Sequence, residues 1–504
     1  MPSQSKNSLS FVAVLVFSLI LFVGGGAAAD QTLSPPPGGE FGSAVDIDGN
    51  IAVIGNSNIG GTPSLPQGVV YIFERGPAGW QLVKTLLPPA TGDRFTRFGA
   101  QVTLAGNRLA IGDVHFSEDD LDAGHTGRVY VYEKQGAIWP DQPAYVIAPS
   151  QPKVYSFGEV HAFSGEYLAV TEFVSFKLFR PDQRVVRVKT YRLQNGLAIP
   201  LGQVERTGSD SFGFEMSMSG SELAILSAHE RVLVPSSKPT VFLYDLSGGT
   251  MRQAAALNVP MTEGDYFAVS KMKLERDRLL VWKSTRLGGC GIFFKRTAAG
   301  WHPTSQIRPP QHSELGDMDL AGNALVINGR PRTDLYLASE PPRFVRSLSA
   351  EFPFGLATSP DTAMIVSMNK IMFVPLRSLL AADTVVVTPS QASPPGGGID
   401  LGVLVAGQAC KAEVELYNAS TEPLQLSGVQ ITPVMGANSV TEHSFTPVTL
   451  PPLGKVRVKL TLNPPSAGSY RMTLEVLHSG AAHPPLCLPV GLRGESRRFR
   501  TLRV

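Results

Sequence analysis

The sequence predicts an all-β protein, in which a seven-bladed β-propeller is followed by a small β-sandwich. Three observations lead to this prediction: a repeat that recurs through most of the chain, period-two alternation of apolar residues near the C-terminus, and 50 glycines and 40 prolines among 504 residues. Such a content of turn formers suits many short strands joined by tight turns. Single cores stop growing at about 250–300 residues, so a chain of this length needs several domains or a ring of repeats.

The repeat begins with a Phe-Gly pair and continues into two apolar strands. The clearest copies read FGSAVDIDGNIAVIG from Phe41 and FGAQVTLAGNRLAIG from Phe98. Weaker copies, with successive starts 39 to 59 residues apart, begin at Phe157, Phe212, Phe267, Leu315 and Phe354. A single small sheet cannot bury both of its faces alone, so seven copies favour radial packing around a central axis.

Each copy predicts four strands. Gly49-Asn50 and Gly106-Asn107 suit two-residue hairpin turns, because glycine and asparagine tolerate positive φ. A longer loop then leads to an aromatic third strand, which is Val69–Phe73 in the first copy. The fourth strand is predicted to begin around the tryptophans that recur at one repeat position, Trp80, Trp139 and Trp301. Their recurrence favours packing between sheets over a platform for stacking sugars.

The ring is predicted to close through the N-terminus. The seventh copy has three strands, ending near Ile371–Pro375, and no fourth. The stretch QTLSPPPGGEFG from Gln31 has the same order of features as KTLLPPATGDRFTRFG, which ends the first copy and begins the second. We therefore expect Gln31–Ser34 to supply the missing outer strand of the seventh sheet.

The repeats resemble the FG-GAP repeats of integrin α-chain heads and of many exported bacterial proteins. The likeness covers residues 31 to about 380 and rests on Phe41-Gly42, Phe98-Gly99, Phe157-Gly158 and Phe212-Gly213, with the Leu-Ala-Val/Ile-Gly and Gly-x-Val-Tyr strands that follow. The Gly-Ala-Pro ending of that family is missing, since Asn56 and Ser57 follow Gly55. The resemblance implies an integrin α-like propeller.

The C-terminal part predicts a half-exposed β-sandwich, because apolar residues alternate with polar ones in Lys411–Asn418, Lys455–Leu462 and Ser469–Val476. It resembles the choice-of-anchor D, or abnormal-spindle-type, Ig-like domains at Asp400-Leu401-Gly402 and Leu416-Tyr417-Asn418. The predicted domains are a signal peptide (1–29), the propeller (30–380), a linker (381–398), the Ig-like sandwich (399–494) and a basic tail (495–504).

The N-terminus predicts export. Lys6 precedes an apolar run from Phe11 to Val23, and Ala27–Ala29 provides a cleavage site, so we expect a secreted, extracellular or cell-envelope protein. An uncleaved anchor is the alternative, and it is the only membrane link that we expect. With 44 basic and 42 acidic residues, the chain has no electrostatic feature that predicts a nucleic-acid partner.

Three cysteines are too few and too dispersed for a zinc site. Cys410 and Cys487 fall in one predicted domain and, in an oxidising compartment, either form a disulfide or remain two buried thiols. We expect Cys290 to pack within a strand.

Two clusters are candidate binding sites. Asp46, Asp48 and Asn50 are candidate calcium ligands, but a glycine follows Asp48 directly and no carboxylate follows in Ile51–Gly55, so an Asp-Gly hairpin without any cofactor is favoured. The long loop of the second copy offers the candidate ligand-binding residues Asp113, His115, Asp119, Asp120, Asp122 and His125. Binding residues are common on loops of a rigid scaffold, although an acidic loop is also simply well solvated.

The sequence contains no nucleophile elbow, HExxH helix, glycine-rich phosphate loop or dinucleotide fingerprint. We therefore expect a non-enzymatic binding or scaffold protein that presents propeller loops to an extracellular protein or glycan. Two alternatives stay open. One is a glycan lyase or hydrolase, recognisable by His, Arg or Tyr side chains that converge with carboxylates at the central channel. The other is a purely structural envelope component.

Overall fold

The structure is a computed structural model of the chain. It describes residues 30–36, 41–42, 44–57, 68–89, 97–114, 127–149, 154, 156–175, 184–208, 211–228, 239–261, 271–285, 288–307, 318–328, 333–339, 342–348, 353–367, 370–376, 380–385, 399–418, 422–435, 440–479 and 486–495. These residues form strands, turns and irregular segments without a helix. Accordingly, they include no helix with the length and apolar character that a membrane span needs. The predicted signal peptide lies outside the described residues.

The first 28 strands occupy the region of the predicted propeller. In chain order they are β1 (Gln31–Leu33), β2 (Ala44–Asp48), β3 (Ile51–Asn56), β4 (Val69–Gly76), β5 (Gly79–Leu86), β6 (Gln101–Ala105), β7 (Arg108–Asp113), β8 (Arg128–Glu133), β9 (Tyr145–Ile147), β10 (His161–Ser164), β11 (Tyr167–Ser175), β12 (Val185–Gln194), β13 (Leu197–Thr207), β14 (Met216–Ser219), β15 (Glu222–Ser227), β16 (Thr240–Asp245), β17 (Arg252–Asn258), β18 (Lys271–Glu275), β19 (Arg278–Thr285), β20 (Gly288–Thr297), β21 (Gly300–Ile307), β22 (Met318–Ala321), β23 (Ala324–Asn328), β24 (Thr333–Leu337), β25 (Arg343–Leu348), β26 (Pro353–Thr358), β27 (Thr362–Ser367) and β28 (Lys370–Pro375).

These strands form blade-like, four-stranded antiparallel sheets. Six sheets contain consecutive strands, namely β2–β5, β6–β9, β10–β13, β14–β17, β18–β21 and β22–β25, and one more contains β26–β28 with β1. The first strand of each sheet contacts the first strand of the next, and β26 contacts β2 in turn. The sheets, numbered one to seven in this order, therefore close into a propeller-like circle around their innermost strands.

The circle has two different faces. Because successive strands run antiparallel, the short hairpins such as Gly49-Asn50 and Gly106-Asn107 lie at one end, which we call the turn face. The longer connections, such as those after Asn56 and Asp113, leave from the opposite end, which we call the loop face. The long loops of the first two copies therefore start from the same face, as the repeat predicts.

The predicted closure by the N-terminus is confirmed. β1 pairs with β28, with Gln31 opposite Phe373 and Leu33 opposite Ile371. The amide of Gln31 also donates to the carbonyl oxygen of Trp80 (2.8 Å) and accepts from its backbone N–H (2.6 Å). On the turn face, Arg75 donates to the hydroxyl of Thr362 (3.2 Å), which again joins the first sheet to the seventh.

The Phe-Gly pairs recur because they fit between adjacent sheets. Phe98, Phe157 and Phe212 are fully buried. In the pair Phe157-Gly158 the glycine approaches the second sheet closely: a Cβ atom on Gly112 of β7 would lie 2.1 Å from the carbonyl oxygen of Gly158, and a Cβ atom on Gly158 itself would lie 2.7 Å from the carbonyl oxygen of Arg128. A side chain at this position would collide with backbone, so the repeat needs glycine here.

The fourth strand of the second sheet differs from the prediction. β5 and β21 begin next to Trp80 and Trp301 as expected, but β9 begins at Tyr145 and Trp139 precedes it. Pro140 and Pro143 follow Trp139 and have no N–H to donate, so the ladder cannot form until Tyr145. Trp139 is nevertheless buried between the first two sheets, where its indole N–H donates to Glu74 (2.9 Å).

The outer strands carry a feature that the sequence analysis did not predict. In five sheets the pairing of the third and fourth strands shifts by one residue, at Ile72/Phe73, Thr190/Tyr191, Leu243/Tyr244, Phe293/Phe294 and Leu335/Tyr336. Such bulges twist an edge strand and interrupt its regular row of backbone groups. They therefore make the exposed rim of the circle a poor template for further strand pairing.

The C-terminal strands form two further sheets. They are β29 (Leu380–Val385), β30 (Ile399–Val405), β31 (Cys410–Asn418), β32 (Leu424–Met435), β33 (Val440–Ser444), β34 (Val448–Leu450), β35 (Lys455–Leu462), β36 (Gly468–His478) and β37 (Leu486–Glu495). One sheet has the order β29-β31-β35-β33 and the other β30-β37-β36-β32-β34. The alternation is confirmed, since Val414, Leu460 and Leu474 lie in the core between the sheets.

The first sandwich strand corrects the predicted linker. β29 starts at Leu380 and pairs with β31 along its length, so residues 381–385 belong to the sandwich and not to a linker. The sandwich also contacts the propeller-like circle: Tyr417 is buried with apolar residues of the sixth and seventh sheets. The guanidinium of Arg343 lies 5.4 Å from the centre of the Tyr417 ring, which adds a cation–π contact across this junction.

Candidate functional site

The innermost strands of the seven sheets enclose a central channel with a cavity of about 810 Å³. The lining includes Asp46, Gln101, Ser217, Lys273 and Asp319, and every sheet contributes its first strand. Cavities of ~300–1,000 Å³ with a few convergent polar groups are typical of small-molecule sites. The channel therefore has the size and the polar groups of a candidate small-molecule site.

Side chains of one innermost strand bind the backbone of the next. Asp46 accepts from the N–H of Leu104 (2.7 Å), and Ser217 accepts from the N–H of Leu274 (2.9 Å). Both acceptors lie three residues before the first residue of their hairpin turn. Asp319, at the same position of the sixth sheet, accepts from Thr358 N–H (2.6 Å).

The same arrangement occurs at two other levels of the channel. Next to the turns, further N–H acceptors lie on Asp48, Ser164, Ser219 and Glu275, at 2.7 to 2.9 Å from backbone nitrogens of the following sheet. Nearer the loop face, Glu215 accepts from Met272 (3.1 Å), and Gln101 exchanges two hydrogen bonds with the backbone of His161. We call this set the inter-sheet acceptors.

The inter-sheet acceptors solve a general problem of ring-shaped β proteins. The innermost strand of each sheet has one edge without a neighbouring strand, so its N–H groups on that edge need other partners. Each acceptor provides such a partner and fixes the angle between two sheets. Much of the polar chemistry of the channel is therefore used to hold the circle together.

Three charged side chains meet within the channel. The ammonium of Lys273 donates to a carboxylate oxygen of Asp319 (2.9 Å), and a third of the Lys273 side chain stays accessible. Burial raises the pKa of Asp46 to about 6, although the nearby Lys273 lowers it. Burial by itself would lower the pKa of Lys273, but the charges of Asp319 and Asp46 raise it above its usual value. We call these residues the channel triad.

His161 lies in the wall of the channel but faces the core between two sheets. Its side chain is 1% exposed, and Nδ1 lies 3.4 Å from the carbonyl oxygen of Gly158. Burial lowers its pKa to about 4, so the ring is neutral at pH 7. Val102, Met216 and Met272 occupy the corresponding position of other sheets and are buried too. His161 is therefore a packing residue of this sheet.

The candidate calcium residues do not converge on one point. Asp46 accepts from Ile47 and Leu104, while Asp48 accepts from Gly106 (2.7 Å). The amide oxygen of Asn50 accepts from the guanidinium of Arg75 (2.6 Å). Nowhere in the described ranges do three or more His, Cys, Asp or Glu side chains form a group that could hold a metal ion.

The candidate loop of the second sheet is described only at its first residue. Asp113 ends β7 and is 3% exposed at the loop face. The remaining candidates, His115, Asp119, Asp120, Asp122 and His125, lie outside the described residues. The side chains of Cys410 and Cys487 also lie outside them, so the disulfide remains a prediction, whereas Cys290 is a fully buried thiol.

Asp113 belongs to a ring of polar residues that the sequence analysis missed. Five of the second strands end on a buried polar residue: Asn56, Asp113, Ser227, Asn328 and Ser367. The hydrogen bond of Asn328 holds the end of a loop-face connection. Thr333 donates its hydroxyl to Asn328 (2.8 Å). The buried Lys283 of β19, which is not one of these five residues, holds another such connection by donating to the carbonyl oxygen of Pro260 (2.8 Å). The signal available in the sequence was a polar residue at the end of these five apolar strands.

No protein-family model matches the chain, and no curated protein matches it either. Among solved structures, a candidate 6-phosphogluconolactonase from Bacteroides uniformis is 12% identical, with a TM-score of 0.42, covering 64% of this chain and 88% of that one. BamB from Moraxella catarrhalis is 10% identical, with a TM-score of 0.37 and coverage of 69% and 99%. Kluyveromyces lactis Hsv2p is 11% identical, with a TM-score of 0.39 and coverage of 69% and 93%. Likenesses this distant assign no activity to this chain.

Proposed function

We propose that the chain is an exported, non-enzymatic binding protein, built as a seven-bladed β-propeller of the FG-GAP type with an Ig-like sandwich. The observation that carries this proposal is the set of inter-sheet acceptors. Acid–base catalysis needs carboxylates that reach a substrate proton, whereas Asp46, Glu215 and Asp319 each accept a backbone N–H of the next sheet. These hydrogen bonds hold each carboxylate against the next sheet, as a rigid binding scaffold requires.

The loop face is the binding surface in this proposal. The long connections leave from one end of the circle, and buried polar residues such as Asn328 and Lys283 hold their bases. Preorganised loops lose less conformational entropy when they bind a partner. We infer that the partner is an extracellular protein or glycan and that the acidic loop after Asp113 contributes contacts.

The sandwich acts as a fixed spacer in this proposal. Tyr417 is buried against the sixth and seventh sheets, and Arg343 contacts both Tyr417 and Glu415. A domain held in this way keeps the loop face at a constant orientation relative to whatever the sandwich contacts.

A binding screen tests the proposed function. The mature protein is applied to arrays of glycans and cell-surface proteins, with and without calcium, alongside two triple variants. The first changes Asp119, Asp120 and Asp122, in the sequence between β7 and β8, to Asn. The second is matched in charge and changes Asp245, Asp277 and Asp361 of the turn face to Asn.

We expect a partner that the wild type and the turn-face variant bind equally and that the loop-face variant binds at least tenfold more weakly, about 1.4 kcal/mol. We also expect no chemical change in a bound glycan. The proposal would be contradicted if the wild type bound nothing on either array, or if both variants lost the same amount of affinity. Chemical turnover of a bound glycan would contradict it as well.

A further inference from the structure

The channel wall is uneven at the level of the channel triad. Asp46, Lys273 and Asp319 lie three residues before the turn in sheets one, five and six. The corresponding residues of sheets two, three and four are small, namely Thr103, Ala162 and Ser217. Sheets five, six and one therefore present charged groups to the channel. The smaller side chains of sheets two, three and four leave space next to those groups.

The wall presents backbone and carboxylate oxygens that can accept hydrogen bonds. Residues such as Leu104 direct their N–H to the edge without a neighbouring strand, and in an antiparallel ladder the C=O of the same residue points to the same edge. The inter-sheet acceptors take up these N–H groups, and the carbonyl oxygen of His161 on the same edge accepts from Gln101 (2.8 Å). Each triad carboxylate oxygen also has a second lone pair beyond the bond that it already accepts.

The charges of the channel triad disfavour a charged ligand. An anion would face the carboxylates of Asp46 and Asp319, and a cation would compete with the ammonium of Lys273, which already binds Asp319. A neutral hydroxyl group can donate to a carboxylate or carbonyl oxygen and accept from the accessible ammonium. A polyhydroxylated molecule therefore satisfies both kinds of group at once.

We propose that the channel is a binding site for a neutral sugar of one or two rings, whose hydroxyl groups contact Asp46, Lys273 and Asp319 and whose body fills the space beside Thr103. The cavity of about 810 Å³ has ample room for such a molecule. This site is separate from the loop-face surface, so the two can be present or absent independently.

Titration calorimetry of the full mature protein tests this site. The probes are neutral monosaccharides and disaccharides, with glucosamine as the cationic probe and glucuronate as the anionic probe. Thr103→Phe fills the space opposite the triad, and Thr103→Val is its matched control, because it removes the hydroxyl at nearly constant volume. Lys273→Met removes the donor. Thermal melting verifies that each variant is folded.

We expect 1:1 binding of at least one neutral sugar, weakened at least tenfold by Thr103→Phe and by Lys273→Met and changed less than about twofold by Thr103→Val. If Lys273→Met fails to fold, the affinities of Thr103→Phe and Thr103→Val for the neutral sugar provide the test. Absence of binding for every neutral sugar at millimolar concentration would overturn the proposal. Binding of the charged probes alone, or equal binding by Thr103→Phe, would overturn it as well.

Discussion

The indole of Trp80 stacks on the ring of Phe373, with ring centres 4.4 Å apart and planes 8° from parallel. Trp80 belongs to β5 of the first sheet and Phe373 to β28 of the seventh, so this contact joins the two ends of the circle. β1 lies over the same junction, because Gln31 binds both backbone groups of Trp80. The junction of the first and seventh sheets therefore includes side chains of β1, β5 and β28.

Gln31→Ala should lower the stability of the circle. The variant leaves the partly buried N–H and C=O of Trp80 without their side-chain partner, at a cost of about 1–2 kcal/mol. Thr32→Ala, at an exposed position of the same strand, is the matched control and should change stability by less than about 0.5 kcal/mol. Chemical denaturation measures both values, and equal effects would contradict the role of Gln31.

Ser217→Ala tests the inter-sheet acceptors. Removing the hydroxyl leaves the N–H of Leu274 unsatisfied within the fold, which costs about 1–3 kcal/mol. Ser469→Ala, at an exposed serine of the sandwich, should change stability by less than about 0.5 kcal/mol. A loss of stability no larger for Ser217→Ala than for Ser469→Ala would show that these hydrogen bonds contribute little.

Gly112→Ala should disrupt the contact between the second and third sheets. A Cβ atom there would lie 2.1 Å from the carbonyl oxygen of Gly158, so one backbone must shift, and we expect a loss of at least about 3 kcal/mol or poor folding. Gly76→Ala is the control, because a Cβ atom on Gly76 meets nothing within 4 Å. Thermal melting distinguishes the two, and a folded Gly112→Ala variant with normal stability would contradict the close approach.

His161 and Asp46 should give opposite pH dependences of stability. The pKa of His161 is lowered to about 4, so the unfolded chain binds more protons than the folded one between pH 4 and 6.5, and stability falls as the pH drops through this window. The pKa of Asp46 is raised to about 6, so the folded chain binds the extra proton between about pH 4 and 6, and stability falls as the pH rises there.

His161→Met, which introduces the residue found at this position in the fourth and fifth sheets, removes the first effect. Relative to wild type, the variant should gain about 2–3 kcal/mol between pH 6.5 and 4. Asp46→Asn should shift the dependence in the opposite direction, gaining stability relative to wild type as the pH rises from 4 to 6. Denaturation at several pH values measures both, and parallel curves for all three proteins would contradict the pKa assignments.

Much of the circle could be predicted from the sequence, because the repeat signals are local. The hairpins at Gly49-Asn50 and Gly106-Asn107, the third strand from Val69 and the N-terminal strand at Gln31 follow from turn chemistry, alternation and repeat order. β9 could not be placed at Trp139, since two prolines delay the ladder to Tyr145.

The candidate site was harder to predict, because its groups come from separate copies of the repeat. Asp46, Lys273 and Asp319 lie in sheets one, five and six, and each occupies a position where other copies have Thr, Ala or Ser. These three side chains come close together only because the sheets form a circle and because the lysine side chain is long. Asp46 lies in the predicted hairpin of β2 and β3, and it also accepts from Leu104 of the next sheet, which the hairpin pattern does not indicate.

Pairing of β1 with β28 is the most direct test of the closed circle. Thr32 lies opposite Met372, so Thr32→Cys combined with Met372→Cys should form an intramolecular disulfide under mild oxidation, identified by mass spectrometry of the linked peptides. We expect nearly complete cross-linking within monomers. No cross-link, or one only between chains, would contradict the closure of the circle by its own N-terminus.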